Sequence, residues 1–185
     1  MNYIFLDVDG VLNGCSHLRS FAYSIAWYTG NGTMKKICDR FFRYDGIHTL
    51  RVLNLAKIVK KTKGRVILTS DDRNELWNNL PEEFNLKQKK LMDLFDKFHI
   101  QVFGITPEKP ASKDKQILEW ANANMSQHDK FIIIDDESYQ LKQFVNKELV
   151  KTSSYKDNEV SRIGQIEYKG LNHKYVKEAI KKLTD

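Results

Sequence analysis

The chain has 185 residues, of which 41% are hydrophobic and 29% are charged, and its formal net charge is +6. These proportions are ordinary for a soluble globular protein, and the length suits one domain better than two. No apolar run approaches the roughly 18 residues of a membrane-spanning helix, and the N-terminus lacks the features of a secretion signal. The sequence therefore predicts a single domain over residues 1–185, located in the cytoplasm and without membrane association.

The titratable residues outside the strand ends carry little functional signal. Cys15 and Cys38 are too few for a disulfide framework or a zinc knuckle, and the five histidines show no metal-ligand spacing. The positive net charge weakly favours phosphorylated partners. Lysine runs such as Lys87, Lys89 and Lys90 are interpreted as solvated helix faces. Nothing in the sequence indicates an obligate protein partner.

The first segment with functional content is the apolar run Tyr3–Leu6, followed by Asp7 and Asp9. An apolar run without a period of two predicts a strand buried on both faces, as in a parallel sheet. Residues i and i+2 of an extended chain point the same way, so both carboxylates should converge beyond the strand end. Gly10 permits a sharp turn there. The competing interpretation is that these Asp and Gly residues serve only the turn.

The next segments predict a βαβ unit. Residues 14–45 hold many aromatic residues without a clean period, and they are interpreted as a small lid insertion or, equally, as a cover for a sheet edge. Residues 46–61 have helical spacing, and Arg65–Ser70 predicts a second buried strand that ends in Thr69 and Ser70. Because the crossover makes the two strands parallel, both hydroxyls should approach Asp7 and Asp9.

The later segments continue the alternation of helices and strands. Helices are predicted over 73–80, 86–98, 112–124, with Ser112 as the N-cap, and 172–183. Strands are predicted over 100–103, 130–136 and 148–152. The strand over 130–136 ends in Asp135 and Asp136, on the same sheet edge as Asp7 and Asp9. So many carboxylates cannot all be ionised without a cation, and ligands that are all oxygen atoms favour Mg²⁺.

These motifs resemble those of the haloacid dehalogenase (HAD) superfamily of aspartate-nucleophile phosphatases, in the family's order along the chain. The motifs are Asp7-Val8-Asp9-Gly10-Val11-Leu12, the strand end at Thr69 or Ser70, Lys113 at a helix start, and Ile134-Asp135-Asp136. The chain is more closely similar to the small HAD domains associated with Swiss-Army-knife RNA repair proteins, which also carry a closing strand followed by Gly-Leu, here Gly170-Leu171. The resemblance implies a Rossmann-like α/β three-layer sandwich with a central parallel sheet and a minimal cap or none.

The resemblance also assigns roles to the residues. Asp7 would be the nucleophile that forms an aspartyl-phosphate, Asp9 the acid/base, Thr69 a phosphoryl ligand and Lys113 the neutralising cation. Ser70 is the alternative to Thr69, and Lys109 and Lys115 compete with Lys113. Mg²⁺ would be held by the Asp7 carboxylate, the Asp9 carbonyl and Asp135, with Asp136 either a further ligand or a hydrogen-bonding partner of the ligands. Asn13, Ser70 and Arg73 are the predicted substrate-binding residues.

Two further readings and the substrate stay open at this point. A phosphoacceptor receiver domain uses similar residues around Mg²⁺, although its acidic pair follows the first strand and its acceptor Asp comes later. A non-catalytic phosphate-binding domain is the other alternative. The substrate is expected to be a phosphorylated small molecule or a nucleic-acid end. Asp71 and Asp72 add negative charge near the expected phosphate site.

Overall fold

The computed structural model describes residues 1–13, 29–30, 33, 47–109, 112–152 and 170–185. Within these residues, five strands form one sheet, in which every neighbouring pair of strands is parallel. The strand order is β3-β2-β1-β4-β5. The strands are β1 (Asn2–Leu6), β2 (Arg65–Leu68), β3 (Val102–Ile105), β4 (Lys130–Asp135) and β5 (Leu149–Lys151).

The helices connect the strands and close the chain. In the described ranges they are α1 (Thr49–Thr62), α2 (Arg73–Asn78), α3 (Leu86–Lys97), α4 (Lys113–Asn124) and α5 (His173–Thr184), with short 3₁₀ helices at Pro81–Glu83 and Lys142–Phe144. No helix in the described part of the chain is long and apolar enough to cross a membrane. The predicted lid insertion over 14–45 lies almost entirely outside the described residues.

The alternating side chains of the strands build one core on each face of the sheet. On one face, Ile4 and Leu6 pack in a cluster that includes residues of α1, α3 and α5, such as Leu55, Phe95 and Val176. On the other face, residues such as Phe5 and Ile133 pack with Ile117 and Ala121 of α4. Strands buried on both faces explain the continuous apolar runs of the sequence. The predicted α/β three-layer architecture is confirmed.

The strand order places a topological switch point between β1 and β4. The chain runs outward from β1 to β2 and β3, and then returns to place β4 on the other side of β1. In open α/β sheets, ligands bind in the crevice beyond the carboxyl ends of the strands at such a point. Asp7 directly follows β1, and β4 ends at Asp135.

The strand predicted over 100–103 was placed two residues too early, because Ile100 belongs to the end of a helix. His99 has a positive φ of 55° after α3. The Ile100 amide donates to the Phe95 carbonyl at 2.8 Å, and the His99 amide donates to that of Asp96 at 3.0 Å. This is the Schellman arrangement of a helix C-terminus, in which an apolar residue after the cap packs back on the helix. The buried Ile100 therefore belongs to the end of α3 and β3 begins at Val102.

Candidate active site

Backbone hydrogen bonds extend the parallel ladder beyond the strands and fix the residues at the carboxyl edge of the sheet. The Asp7 amide donates to the Ile134 carbonyl at 3.0 Å, and the Thr69 amide donates to the Leu6 carbonyl at 2.9 Å. The Thr152 amide likewise donates to the Asp135 carbonyl at 2.8 Å. The ends of β1, β2, β4 and β5 are thus held in one row, so the polar residues that follow them are placed by the sheet.

Three carboxylates meet at this edge of the sheet. Asp7, Asp135 and Asp136 are all buried, and each offers an oxygen atom such that the three atoms lie within 4.8 Å of one another. Gly10 makes room for one of them, because a Cβ atom at that position would lie 2.2 Å from Asp136 Oδ2. The φ of Gly10 is +78°, which L side chains rarely adopt. Glycine is thus required at position 10 both by the turn and by the approach of Asp136.

Lys113 is the cation of this cluster. Its ammonium lies 3.1 Å from Asp7 Oδ1 and 2.8 Å from Asp135 Oδ2. The competing candidates Lys109 and Lys115 are both exposed. Lys113 opens α4 after the N-cap position Ser112, but the predicted hydroxyl cap was wrong, since the Ser112 side chain makes no capping hydrogen bond. Instead, the Lys113 amide donates to the side-chain Oε1 of Gln140 at 3.0 Å.

The electrostatics of the cluster follow from burial and crowding. Desolvation raises the pKa of Asp7 to about 8, against the attraction of Lys113 and with the repulsion of Asp135 and Asp136. Burial lowers the pKa of Lys113, but the carboxylates of Asp7 and Asp135 outweigh it, so the net shift is upward. Lys113 therefore stays charged, and the cluster without a metal ion retains a proton near neutral pH.

A cleft of about 360 Å³ opens beside the cluster. Its lining is mostly polar and includes Thr69, Asp71, Glu108, Lys113, Gln116, Asp135, Glu137, Tyr139 and Gln140. Thr69 Oγ1 and Ser70 Oγ are both buried, and neither has a hydrogen-bond partner among the residues that the structure describes. Buried hydroxyls are costly when unpaired, and of these two residues only Thr69 lines the cleft. The structure thus places Thr69, rather than Ser70, where a ligand oxygen could meet it.

Asp9 lies apart from the three buried carboxylates. Its side chain is 55% exposed and receives a hydrogen bond from Asn13 Nδ2. Lys87 Nζ lies 2.7 Å from Asp9 Oδ1 and 3.2 Å from Asp72 Oδ2. The reading of Lys87 as part of a solvated face was wrong, because only 11% of its side chain is exposed. Burial lowers the pKa of Lys87, but its hydrogen bonds and attraction to Asp9 and Asp72 raise it overall.

Arg73 is bound to the protein itself. It is buried, and its Nε donates to the Thr106 carbonyl at 2.9 Å. Its NH1 donates to the Ser70 carbonyl at 2.9 Å, and its NH2 donates to the Pro107 carbonyl at 3.0 Å and to Gln116 Oε1 at 3.2 Å. The guanidinium group therefore ties together the loops after β2 and β3. Its predicted substrate contact stays a prediction, as do the substrate contacts of Ser70 and Asn13.

These contacts predict a structural cost for losing Arg73. We expect Arg73→Met to lower the free energy of unfolding by about 2–4 kcal/mol, because it leaves buried carbonyls without donors. Arg73→Lys should recover only part of this, since an ammonium lacks the planar fork. Urea denaturation would measure both variants, with the exposed Lys109→Met as the control. A loss of activity without a loss of stability would instead return Arg73 to substrate binding.

The comparison with known families agrees with this arrangement of strand ends. Residues 3–156 match the family described as the HAD domain in Swiss Army Knife RNA repair proteins. The chain belongs to this family. No curated protein gives a significant match. The sequence resemblance to HAD domains is thereby confirmed, and the match supports a HAD-type phosphohydrolase at the level of the family.

The HAD domain also contains site neighbours that sequence reasoning missed. Gln140 fixes the first amide of α4, and Tyr139, whose OH accepts a 2.7 Å hydrogen bond from Gln140, lies 61% exposed at the cleft. Lys87 reaches Asp9 from 78 residues away. None of the three directly follows a strand end, and no local pattern distinguishes them from surface residues. The sequence offered one signal for Lys87. It lies in the first turn of α3, where a cation is unfavourable beside the positive end of the helix dipole unless carboxylates face it.

Proposed function

We propose that this HAD domain is a Mg²⁺-dependent phosphohydrolase that acts on a phosphomonoester through an aspartyl-phosphate on Asp7. The observation that carries the proposal is the contact of Lys113 with both Asp7 and Asp135, beside the hydroxyl of Thr69, which has no partner in the described part of the chain. Lys113 and Thr69 thus line the same cleft, and Lys113 joins it to the proposed nucleophile, Asp7. Phosphoryl transfer requires mainly such positioning and charge stabilisation.

The residues fit a magnesium ion. Asp7, Asp135 and Asp136 offer only hard oxygen ligands, which Mg²⁺ prefers. Burial raises the pKa of Asp7, and repulsion from Asp135 and Asp136 adds to the rise, so a cation would relieve repulsion that is present in the metal-free protein. The carbonyl of Asp9 is proposed as a further ligand. When bound, Mg²⁺ would reduce the repulsion between the Asp7 carboxylate and an anionic phosphoryl group.

The proposed reaction has two steps. An Asp7 oxygen attacks phosphorus, the bond to the leaving oxygen breaks, and Asp9 gives its proton to that oxygen. Asp9 then accepts a proton from water, the water oxygen attacks phosphorus, and Asp7 and inorganic phosphate are released. Thr69 donates a hydrogen bond to a phosphoryl oxygen, and Lys113 stabilises the charge that develops there. Acid/base catalysis of this kind contributes about 10²–10⁴ in rate.

The test is phosphate release from a panel of phosphomonoesters with Mg²⁺ and with EDTA. We expect turnover only with Mg²⁺, and we expect acid-quenched enzyme to carry label from a ³²P-substrate that hydroxylamine removes, as an acyl phosphate requires. Binding of phosphate without turnover would instead favour the non-catalytic phosphate-binding domain. Turnover without a trapped acyl phosphate in rapid-quench samples would count against the covalent route.

We further propose that the substrate is a nucleotide or a nucleic-acid end. The matching family is described by its presence in RNA repair proteins. The cleft of about 360 Å³ is in the range of small-molecule sites, and the exposed ring of Tyr139 offers a surface on which a base could stack. Asp71, Glu108 and Glu137 also line the cleft, so it suits one terminal nucleotide better than a run of phosphates.

Salt dependence separates the two substrates. For a single-stranded polynucleotide, the log–log slope of affinity against salt is about −0.7 per contacted phosphate. We expect kcat/KM for an oligonucleotide with a 3′- or 5′-phosphate to fall with salt more steeply than for a mononucleotide. Shallow, equal slopes with better turnover of the mononucleotide would rule out the polynucleotide and leave the nucleotide.

The metal assignment gives a stability prediction. Mg²⁺ that binds only the folded protein stabilises it by about 2.7 kcal/mol at 100 times its Kd. We expect Asp135→Asn to lose most of the Mg²⁺-induced rise in Tm, because it removes a ligand charge from the cluster. Asp93→Asn, on the exposed side of α3, is the matched control and should keep the full rise. Equal Mg²⁺ shifts for wild type and Asp135→Asn would remove Asp135 from the metal site.

A further inference from the structure

The carboxylate of Asp9 is held through one of its two oxygen atoms. Asn13 Nδ2 and Lys87 Nζ both donate to Oδ1, the latter at 2.7 Å. Asn13 is itself fixed, since its Oδ1 accepts from the Gly10 amide at 2.7 Å and its carbonyl accepts from the Arg51 guanidinium. Within the described part of the chain, Asp9 Oδ2 has no partner. An otherwise exposed side chain is thus held with one oxygen bound and the other free.

Hydrogen bonds at the start of α3 hold Lys87 in this position. The cap of α3 is double: Asn85 Oδ1 accepts from the Gln88 amide at 3.0 Å, and Gln88 Oε1 accepts from the Asn85 amide at 2.9 Å. Gln88 Nε2 also donates to Glu75 Oε2 of α2 at 2.7 Å. These bonds join the first turn of α3 to α2. Lys87 lies in that turn and contacts both Asp9 and Asp72, which immediately precedes α2.

The contacts limit where a proton can sit on Asp9. A lysine ammonium and an amide NH₂ can only donate, so Oδ1 must accept from both whether the carboxyl group is ionised or protonated. A proton on Oδ1 would face two donors, so a proton that can be transferred is confined to Oδ2. Because the charge of Lys87 is already balanced by the carboxylates of Asp9 and Asp72, Lys87 would attract a phosphate group only weakly.

We propose that Lys87 is a positioning residue, which holds Asp9 so that Oδ2 carries the proton to the leaving group. The inference rests on the proposed function, since it assumes that Asp9 is the acid of phosphoryl transfer. Lys87 touches neither the phosphoryl group nor the nucleophile in this account. It acts through Asp9 by fixing the rotamer and the protonated oxygen. Misplacing such a group by about 1 Å can cost 10²-fold in rate.

The experiment compares leaving groups that need a proton to different degrees. The leaving group of ethyl phosphate is ethoxide, which is strongly basic and needs a proton as it leaves. The leaving group of p-nitrophenyl phosphate is p-nitrophenolate, a stabilised anion that leaves readily without one. We expect Lys87→Met to lower kcat/KM for ethyl phosphate by about 10- to 100-fold and for p-nitrophenyl phosphate by less than about 3-fold. Lys87→Arg, which keeps the donor, should recover most of the loss. Lys90→Met, on an exposed position of the same helix, should change neither.

Other outcomes overturn the inference in distinguishable ways. An equal loss for the two substrates would mean that Lys87 supports the structure alone, and no loss would mean that Asp9 is placed without it. Lys87→Gln repeats the test if the Met variant does not fold. If wild type hydrolyses neither ester, the proposed function itself fails. A structural readout accompanies the kinetics: the Tm changes of Lys87→Met and Asp9→Asn should be non-additive in the double variant, and additive changes would contradict the contact.

Discussion

Asp7→Asn should reduce Mg²⁺-dependent phosphate release by a factor on the order of 10⁴ or more, while the protein stays folded. The amide keeps the volume of the side chain but lacks the anionic oxygen that attacks phosphorus. Removing a covalent nucleophile costs more than removing a residue that only assists it. Phosphate release by the purified variant with saturating Mg²⁺ would measure the loss. Turnover at the wild-type rate would rule out the covalent mechanism.

The same variant should be more stable than wild type in EDTA at alkaline pH. Burial raises the pKa of Asp7 to about 8, whereas the unfolded value is 3.8. Between these values the unfolded state binds fewer protons than the folded state, so the stability of wild type falls as pH rises from about 4 to 8. Asparagine does not titrate, so Asp7→Asn should escape this loss.

The difference between the two proteins is therefore the quantity to follow. We expect the free energy of unfolding of Asp7→Asn minus that of wild type to increase by more than about 1.4 kcal/mol, the equivalent of one pKa unit, between pH 4 and pH 8. Urea titrations in EDTA would measure it. Saturating Mg²⁺ should reverse the order at pH 8, because only wild type keeps the full set of ligands. A difference that does not vary with pH would mean that Asp7 is not forced toward its neutral form.

Much of the fold was predictable because the strands are buried on both faces. The runs Tyr3–Leu6 and Phe131–Ile134 are apolar because both faces of the strands are buried, and parallel crossovers then bring their carboxyl ends to one edge. The proximity of Asp7 to Asp135 and Asp136 follows from those two facts. Their chemical roles do not follow, and they remain predictions that need the variants described above.

What the sequence did not predict depends on tertiary contacts. The amide of Lys113 is capped by Gln140, which reaches it across 27 positions, although the adjacent Ser112 is the better local cap. Lys87 resembles any lysine of a polar helix face until the fold brings the first turn of α3 beside Asp9. Such pairings depend on how helices pack against the sheet, and a single sequence holds no record of that packing.

Replacing Lys113 tests the electrostatic role of this residue by stability, separately from its role in catalysis. It bridges Asp7 and Asp135, and Asp135 is almost fully buried with its other oxygen accepting from the Glu137 amide at 2.8 Å. Lys113→Met would leave the carboxylates of the cluster without this cation. Removing one partner of a buried ion pair costs about 3–5 kcal/mol. Because 21% of the Lys113 side chain is exposed, water will screen part of this, and we expect a loss of about 2–4 kcal/mol in EDTA.

Two additions should restore stability to Lys113→Met while leaving it inactive. Mg²⁺ should raise its Tm more than that of wild type, because the ion replaces the missing charge. A second change, Asp7→Asn, should recover much of the loss in EDTA, since it removes one of the repelling carboxylates, and the two changes should be strongly non-additive. Lys115→Met, two residues along α4 and exposed, is the control for the loss of a lysine. If Lys113→Met matched wild type in EDTA and showed the same Mg²⁺ shift, Lys113 would not be the cation that balances these carboxylates.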